Sequence, residues 1–155
     1  MKAPPPPRIS VHNRQRKMAL DRAGLERFAE RALALSLPER TRGSDLTSLE
    51  EIHVLLISDR RMSQLHWRFM GIAGPTDVIT FQHGEILISV ETARRQARAH
   101  RTSLAHELRL YLVHGLLHLH GFDDDAPAAR RRMGAIQEKI VASAAARPAV
   151  ESLTP

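Results

Sequence analysis

Tyr111-Leu112-Val113-His114-Gly115-Leu116-Leu117-His118-Leu119-His120-Gly121-Phe122-Asp123-Asp124-Asp125 decides how the rest of the chain is organised. From Tyr111 to Leu119 the side chains are nearly all apolar apart from the histidines. A helix of that composition is buried on most of its sides, so it belongs inside a core. Leu108, Leu112 and Leu116 carry the helical spacing, Ser103 supplies an N-cap, Glu107 stands in the first turns, and Gly121 supplies the stop. Two histidines within such a helix need a chemical reason, because a buried polar group without a partner is costly.

Outward from that helix, the apolar period changes from element to element. Ile9 to Asn13 reads as a short strand. Ala19 to Leu37 has apolar residues at helical spacing, with Asp21 in its first turn and Pro38 at its end. Arg40–Ser48 is polar, contains Gly43, and reads as a loop. Glu51–Ser58 is rich in Leu, Ile and Val and reads as a strand. Ser58 or Asp59 then caps a helix to about Met70, broken by Gly71, Gly74 and Pro75. Asp77–Phe81 and Gly84–Val90 are two strands joined by a turn at Gln82–Gly84. Glu91–His100 is helical, and Pro127–Val141 is a last helix with Pro127 in its first turn. The order predicts an α+β fold: one domain, a small mixed sheet of about four strands, and helices packed against it.

The expected domain is 9–141. Residues 1–8, with a run of four prolines, are expected to form a disordered tail, and 142–155, rich in Ala, Ser and Pro, a flexible one. There are no cysteines among the 155 residues, which excludes disulfides, thiolate metal sites and a cysteine nucleophile. Any metal must then rest on His, Asp or Glu. No apolar run approaches the ~20 residues a membrane span requires, and the first ten residues contain no apolar signal core. No membrane contact and a cytoplasmic location are therefore expected. The net charge of +6, with a pI near 10.9, suggests a polyanionic partner.

His114 and His118 are four apart, so their imidazoles share one helix face about one turn apart and can share one ion. Gly121 lets the chain turn back, and a carboxylate just beyond it can complete the site. Asp124 is the first choice for the third ligand and Asp123 the second. The pattern H-x-x-x-H-x-x-G-x-x-D has the spacing of the metzincin zinc motif with Asp in the last place. Gly115 stands where a metalloprotease carries its general-base Glu, which argues against proteolysis. A His₂Asp set leaves one position open on zinc, and Mn²⁺ or Fe²⁺ also accept it. His120 lies about 200° around the helix from His118 and is expected to pack rather than to ligate.

Taken together, the motifs resemble those of the YbeY endoribonucleases, also called rRNA maturation factors. His114–Asp124 is similar to the family's H-G-x-L-H-L-x-G-Y-D-H, with Phe122 in the Tyr place and Asp124 in the place of the last His. Pro75–Phe81 resembles P-T-D-V-L-S-F, and Gly84–Ser89 resembles G-D-I-x-I-S. The resemblance covers roughly Glu51 to Ile140. It implies one zinc ion held at the positions of His114, His118 and Asp124. It also implies hydrolysis of single-stranded RNA, maturation of the 16S rRNA 3′ end, ribosome quality control, and the small ribosomal subunit and its assembly factors as partners. The family's L-N-x-x-Y/F-R block is matched loosely by Leu65, His66 and Phe69, but its Arg position is Met70. Arg68 or Arg61 is the candidate substitute for that substrate contact.

In the expected mechanism a metal-activated water attacks phosphorus, and arginines steady the charge that develops. With Gly115 beside His114 the general base is open between Asp123 and a ribose 2′-OH. Thr76 and Asp77 either orient site groups or satisfy the backbone of a turn. The arginines of 94–101 and 130–132 are either phosphate contacts or solvated helix faces. Two rival readings follow from the same residues. One is a ribosome-associated binding or assembly factor with a structural metal; the other is a metalloprotease, which Gly115 opposes.

Overall fold

The computed structural model describes residues 5–39, 43 and 45–146. Its elements run β1 (Arg8–Asn13), α1 (Arg22–Ser36), β2 (Glu51–Ile57), α2 (Asp59–Met70), β3 (Val78–Phe81), β4 (Glu85–Ser89), α3 (Val90–His100), α4 (Leu104–Leu119) and α5 (Pro127–Ala145). The four strands form one sheet in the order β1-β2-β4-β3. β1, β2 and β4 are parallel, and β3 returns antiparallel to β4 as the second edge. This is the expected α+β fold with a small mixed sheet.

Strand alternation sorts the sheet into two faces. Ile9, Val11, Ile52, Val54, Leu56, Ile86 and Ile88 are buried in the main core with α1, α4 and α5. The opposite face carries a smaller cluster in which Ile57, Ile79 and Leu87 meet Met62 and Leu65 of α2. Helix α4 lies against β3 and β4 and is flanked by α1, α3 and α5. Val113, Leu116 and Leu117 on it are fully buried, as the apolar run predicts. The sheet therefore serves as the floor, and α4 is the pillar that carries the histidines.

The contact of α4 with the floor is close. A Cβ on Gly115 would stand 2.6 Å from Ile86 Cγ2. A glycine at this position lets the helix settle onto β4. The far end of α4 closes in a Schellman motif, with Phe122 N–H donating to Leu117 O at 2.9 Å and Gly121 N–H to His118 O at 3.0 Å. Gly121 has φ of 96°, in the left-handed region that favours glycine.

Most boundaries fall within a residue or so of expectation, and three differences bear on how the ends are held. α1 starts at Arg22, because Asp21 is its cap, not part of its first turn: the Asp21 carboxylate accepts the Gly24 N–H at 2.9 Å. α5 runs to Ala145, so 142–145 belong to the helix and not to a flexible tail. Ala144 is buried, and its carbonyl accepts Arg31 Nε–H at 2.7 Å. At the other end, Arg8 already pairs with Glu51 in the sheet and Pro7 is buried, so order begins before residue 9. The rest of the two expected tails, 1–4 and 147–155, lies outside the described residues. Within the expected loop, 40–42 and 44 also lie outside them, and Leu46–Ser48 forms a single 3-10 turn capped by Asp45.

Candidate metal centre

One turn of α4 separates His114 from His118, and the Gly121 bend carries the chain back over them. The two Nε2 atoms stand 3.0 Å apart. Asp124 Oδ2 lies 3.6 Å from the first and 3.8 Å from the second. Among the described residues this is the one group of three or more His, Asp or Glu whose ligand atoms converge enough to hold a metal ion. All three side chains are part-buried, with 27%, 26% and 39% of their surface exposed. The cluster is thus shielded but still reached by solvent.

The outer nitrogens decide what the inner ones can do. His118 Nδ1 lies 3.0 Å from the Phe122 carbonyl, which can only accept, so Nδ1 carries the proton. His114 Nδ1 lies 2.8 Å from Gln137 Oε1, again an acceptor. Each Nε2 is left with a lone pair, and two lone pairs facing at 3.0 Å repel unless a cation stands between them. Burial, and then the neighbouring His114, hold the His118 imidazole below its ordinary pKa, which keeps that lone pair available.

The spacing fits a tetrahedral ion. Two donors each ~2.05 Å from zinc subtend about 3.3 Å, and the three observed separations fall on either side of that figure. The carboxylate neutralises part of the cation's charge, and Gln137 with the Phe122 carbonyl fixes both rings as outer partners do in metal sites.

A cleft of about 340 Å³ opens beside His114 and is lined by Asp77, His100, Glu107, Tyr111 and Gln137, among others. Glu107 is 2% exposed and accepts from the Thr102 hydroxyl at 2.7 Å. Burial, with Glu107 and Asp77 nearby, raises the Tyr111 phenol, so it stays protonated as a donor. Asp77 Oδ1 accepts the Val78 N–H at 2.8 Å and the Thr76 hydroxyl at 3.3 Å, which is the backbone role; its place in the cleft also brings it to the site.

Of the sequence candidates, His114, His118 and Asp124 come together. Asp123, the second choice for third ligand, does not join them: its carboxylate is exposed and accepts the Asp125 N–H at 3.3 Å. Arg68 stays apart as well, exposed on α2 with its guanidinium 5.6 Å from the centre of the Phe69 ring. His120 packs as expected. It is 4% exposed, takes the Leu46 N–H on Nδ1 at 3.1 Å and gives Nε2–H to Glu39 O at 2.9 Å. Gln137 is the residue that sequence reasoning missed, because it stands 23 positions from His114 and only the packing of α5 on α4 joins them. Gly115 offers no room for a general base, since its missing side chain would point at Ile86.

The sequence profile of the family described as Endoribonuclease YbeY matches residues 10–145. Curated relatives of that name include those of Gluconobacter oxydans, 37% identical over 126 residues (77% of this chain, 74% of the relative), and Frankia alni, 36% over 115 residues (61% and 64%). The Anaeromyxobacter relative is 42% identical over 93 residues, or 54% of this chain and 48% of its own. The chain therefore spans about half to two thirds of the length of the last two. The solution structure of TM1509 from Thermotoga maritima is similar over 88% of both chains, with 26% identity and a TM-score of 0.62.

Proposed function

Because this chain belongs to the YbeY endoribonuclease family, we propose that it is a metal-dependent endoribonuclease that cuts single-stranded RNA. The observation that carries this reading is the convergence of two Nε2 lone pairs and one carboxylate with both Nδ1 atoms already committed. His114, His118 and Asp124 are the proposed ligands. Zinc is the proposed ion, and Mn²⁺ and Fe²⁺ suit the same donors. When bound, such an ion supplies Lewis acidity toward a phosphoryl oxygen and lowers the pKa of water.

The chain's own residues do the remaining work. Gln137 and the Phe122 carbonyl hold the imidazoles in their tautomers. Tyr111, kept protonated, offers a donor within the cleft beside His114. Asp123, exposed and next in chain to Asp124, is the candidate proton acceptor, and Arg68 the candidate phosphate contact. The proposed setting is maturation of the 16S rRNA 3′ end and ribosome quality control in the cytoplasm, with the small subunit and its assembly factors as partners. Among the described residues no helix is long and apolar enough to cross a membrane.

The test is cleavage of a labelled single-stranded RNA beside its duplex, with wild type and His114→Ala. Cleavage of the single strand alone, lost with chelator and lost in a variant that keeps its fold, supports the enzyme. The rival reading, an assembly factor with a structural metal, is favoured by one observation: the position of the family's Arg is Met70, half-exposed at 51%. Unfolding of His114→Ala on loss of metal would support that rival.

A further inference from the structure

On the side of the sheet away from α4, the register aligns Ser10, His53, Glu85 and Phe81 in one row across all four strands. The next row is His12, Leu55, Leu87 and Ile79. Among the described residues α2 is the helix that covers this face, leaving a groove of about 750 Å³ floored by Leu55, Ile57 and Leu87 and walled by Phe69, Phe81 and His83. The chain has only four phenylalanines, and two of them line this groove. Phe69 is 56% exposed. The Phe81 and His83 rings are near-parallel at 19° with centres 5.9 Å apart, and Phe69 meets Phe81 edge-on at 5.2 Å.

The charges on this face are cationic in balance. Glu85 is held by His83 at 2.6 Å, and Glu51 by Arg8 at 2.7 Å and His53 at 3.2 Å. Arg14 and Arg61, at the groove, form no ion pair among the described residues. An apolar peptide would meet two guanidinium groups there against one carboxylate, Glu85. A nucleic-acid strand meets rings for its bases and cations for its phosphates, the two features that single-strand platforms combine.

We propose that this open sheet face is a second subsite for single-stranded RNA, distinct from the metal centre, where bases stack on Phe69 and Phe81 and phosphates lie along Arg14 and Arg61. It rests on the reading of the metal centre as a single-strand nuclease and adds how the strand is held. Edge strand β3 links the two places: Phe81 borders the groove, and Asp77, just before the other end of β3, borders the cleft at His114. Four residues of strand span roughly 13 Å, so a short stretch of RNA rounding this edge passes from one to the other. Substrates long enough to reach the groove should bind more tightly than dinucleotides.

Filter binding of a labelled oligoadenylate, and cleavage of that strand beside a dinucleotide, test this with Phe69→Ala and Arg14→Glu. Both side chains are exposed, and circular dichroism checks that both variants fold. Each variant is expected to raise Kd and KM for the long strand about tenfold, and Arg14→Glu, whose side chain touches no group of the metal centre, to leave dinucleotide cleavage as in wild type. Phe69→Trp should restore binding, because it restores a ring. Folded variants that bind and cut the long strand like wild type would overturn the subsite and leave the nuclease standing. A wild type that binds the strand without cutting it, with both variants weakened, would do the reverse. Wild type that does not bind the strand at all overturns the subsite outright.

Discussion

Gly115 and Ile86 meet so closely that a Cβ on the first would lie 2.6 Å from Cγ2 of the second. Ile86 is fully buried and branched at Cβ, so its methyl has little freedom to withdraw. Gly115→Ala gains about 1 kcal/mol in helix propensity but overpacks the core at a cost of about 1–3 kcal/mol. The expected net is a loss near 1 kcal/mol, read as a fall of about 2–4 °C in Tm. Metal content should stay stoichiometric, because the ligand atoms leave the helix on another face. A raised Tm would mean that α4 can rise off β4 freely.

Asp124 and Asp123 are separated by metal analysis of their alanine variants. Asp124→Ala removes the oxygen that faces both Nε2 atoms, and the purified protein is expected to retain well under one ion per chain. Asp123→Ala should keep the wild-type stoichiometry, since its carboxylate turns toward the Asp125 N–H. Asp124→His, which installs the three-histidine set implied by the family resemblance, should bind metal again. Loss of metal in Asp123→Ala with retention in Asp124→Ala would exchange the two roles.

Much of this arrangement was legible in the sequence, and the exceptions have a common cause. The strands and helices carry clear periods and punctuation, such as Ser58, Ser103 and Gly121, so nine elements emerge close to their places. His114, His118 and Asp124 were readable because a helix and one glycine bend lie wholly within eleven residues. What escaped depends on distant packing. Ala142–Ala145 looks like a frayed end until Arg31 is seen to hold the Ala144 carbonyl. Gln137 carries no local signal as the partner of His114. Ala19 and Leu20 continue the period of α1, while Asp21 ends it by capping. Arg68 is near the family's Arg position only along the chain, and the fold puts its guanidinium over Phe69.

Asp59 gives the fold an acid-sensitive joint. Burial pushes its carboxyl up, but donors from Arg95, Ser89 and Thr92 outweigh burial and hold it below the ordinary carboxylate value. A depressed carboxylate stabilises the native state above its unfolded pKa, and that stability is lost as pH falls through the folded one. The loss is therefore expected below about pH 4. Urea midpoints measured from pH 7 downward should fall more steeply for wild type than for Asp59→Asn, which lacks the charge. Parallel curves would remove Asp59 from the acid transition.

His120 tests whether a histidine of the motif is purely structural. Its Nδ1 takes the Leu46 N–H, and that backbone group is buried with it. His120→Ala leaves the donor unpaired at a cost of about 1–3 kcal/mol. Denaturant midpoints should fall accordingly while metal content and RNA cleavage per folded molecule stay as in wild type. Loss of metal from a folded His120→Ala would assign it a part in the centre.

Gln137 reaches His114 from α5 and accepts its Nδ1–H at 2.8 Å. Nothing else in the described structure fixes that tautomer, so the lone pair on Nε2 depends on this contact. Gln137→Ala frees the ring to turn and to carry its proton on either nitrogen. Outer partners of this kind are worth about 10–100-fold in metal affinity, and competition with a chromogenic chelator should show a loss in that range. Because Gln137 is only part-buried, the thermal stability of the metal-free protein should barely change. Gln137→Glu keeps the acceptor and adds a negative charge, so it should match or exceed wild-type affinity. If Gln137→Ala binds metal as tightly as wild type, the tautomer of His114 is set by the ion itself and α5 has no part in the site.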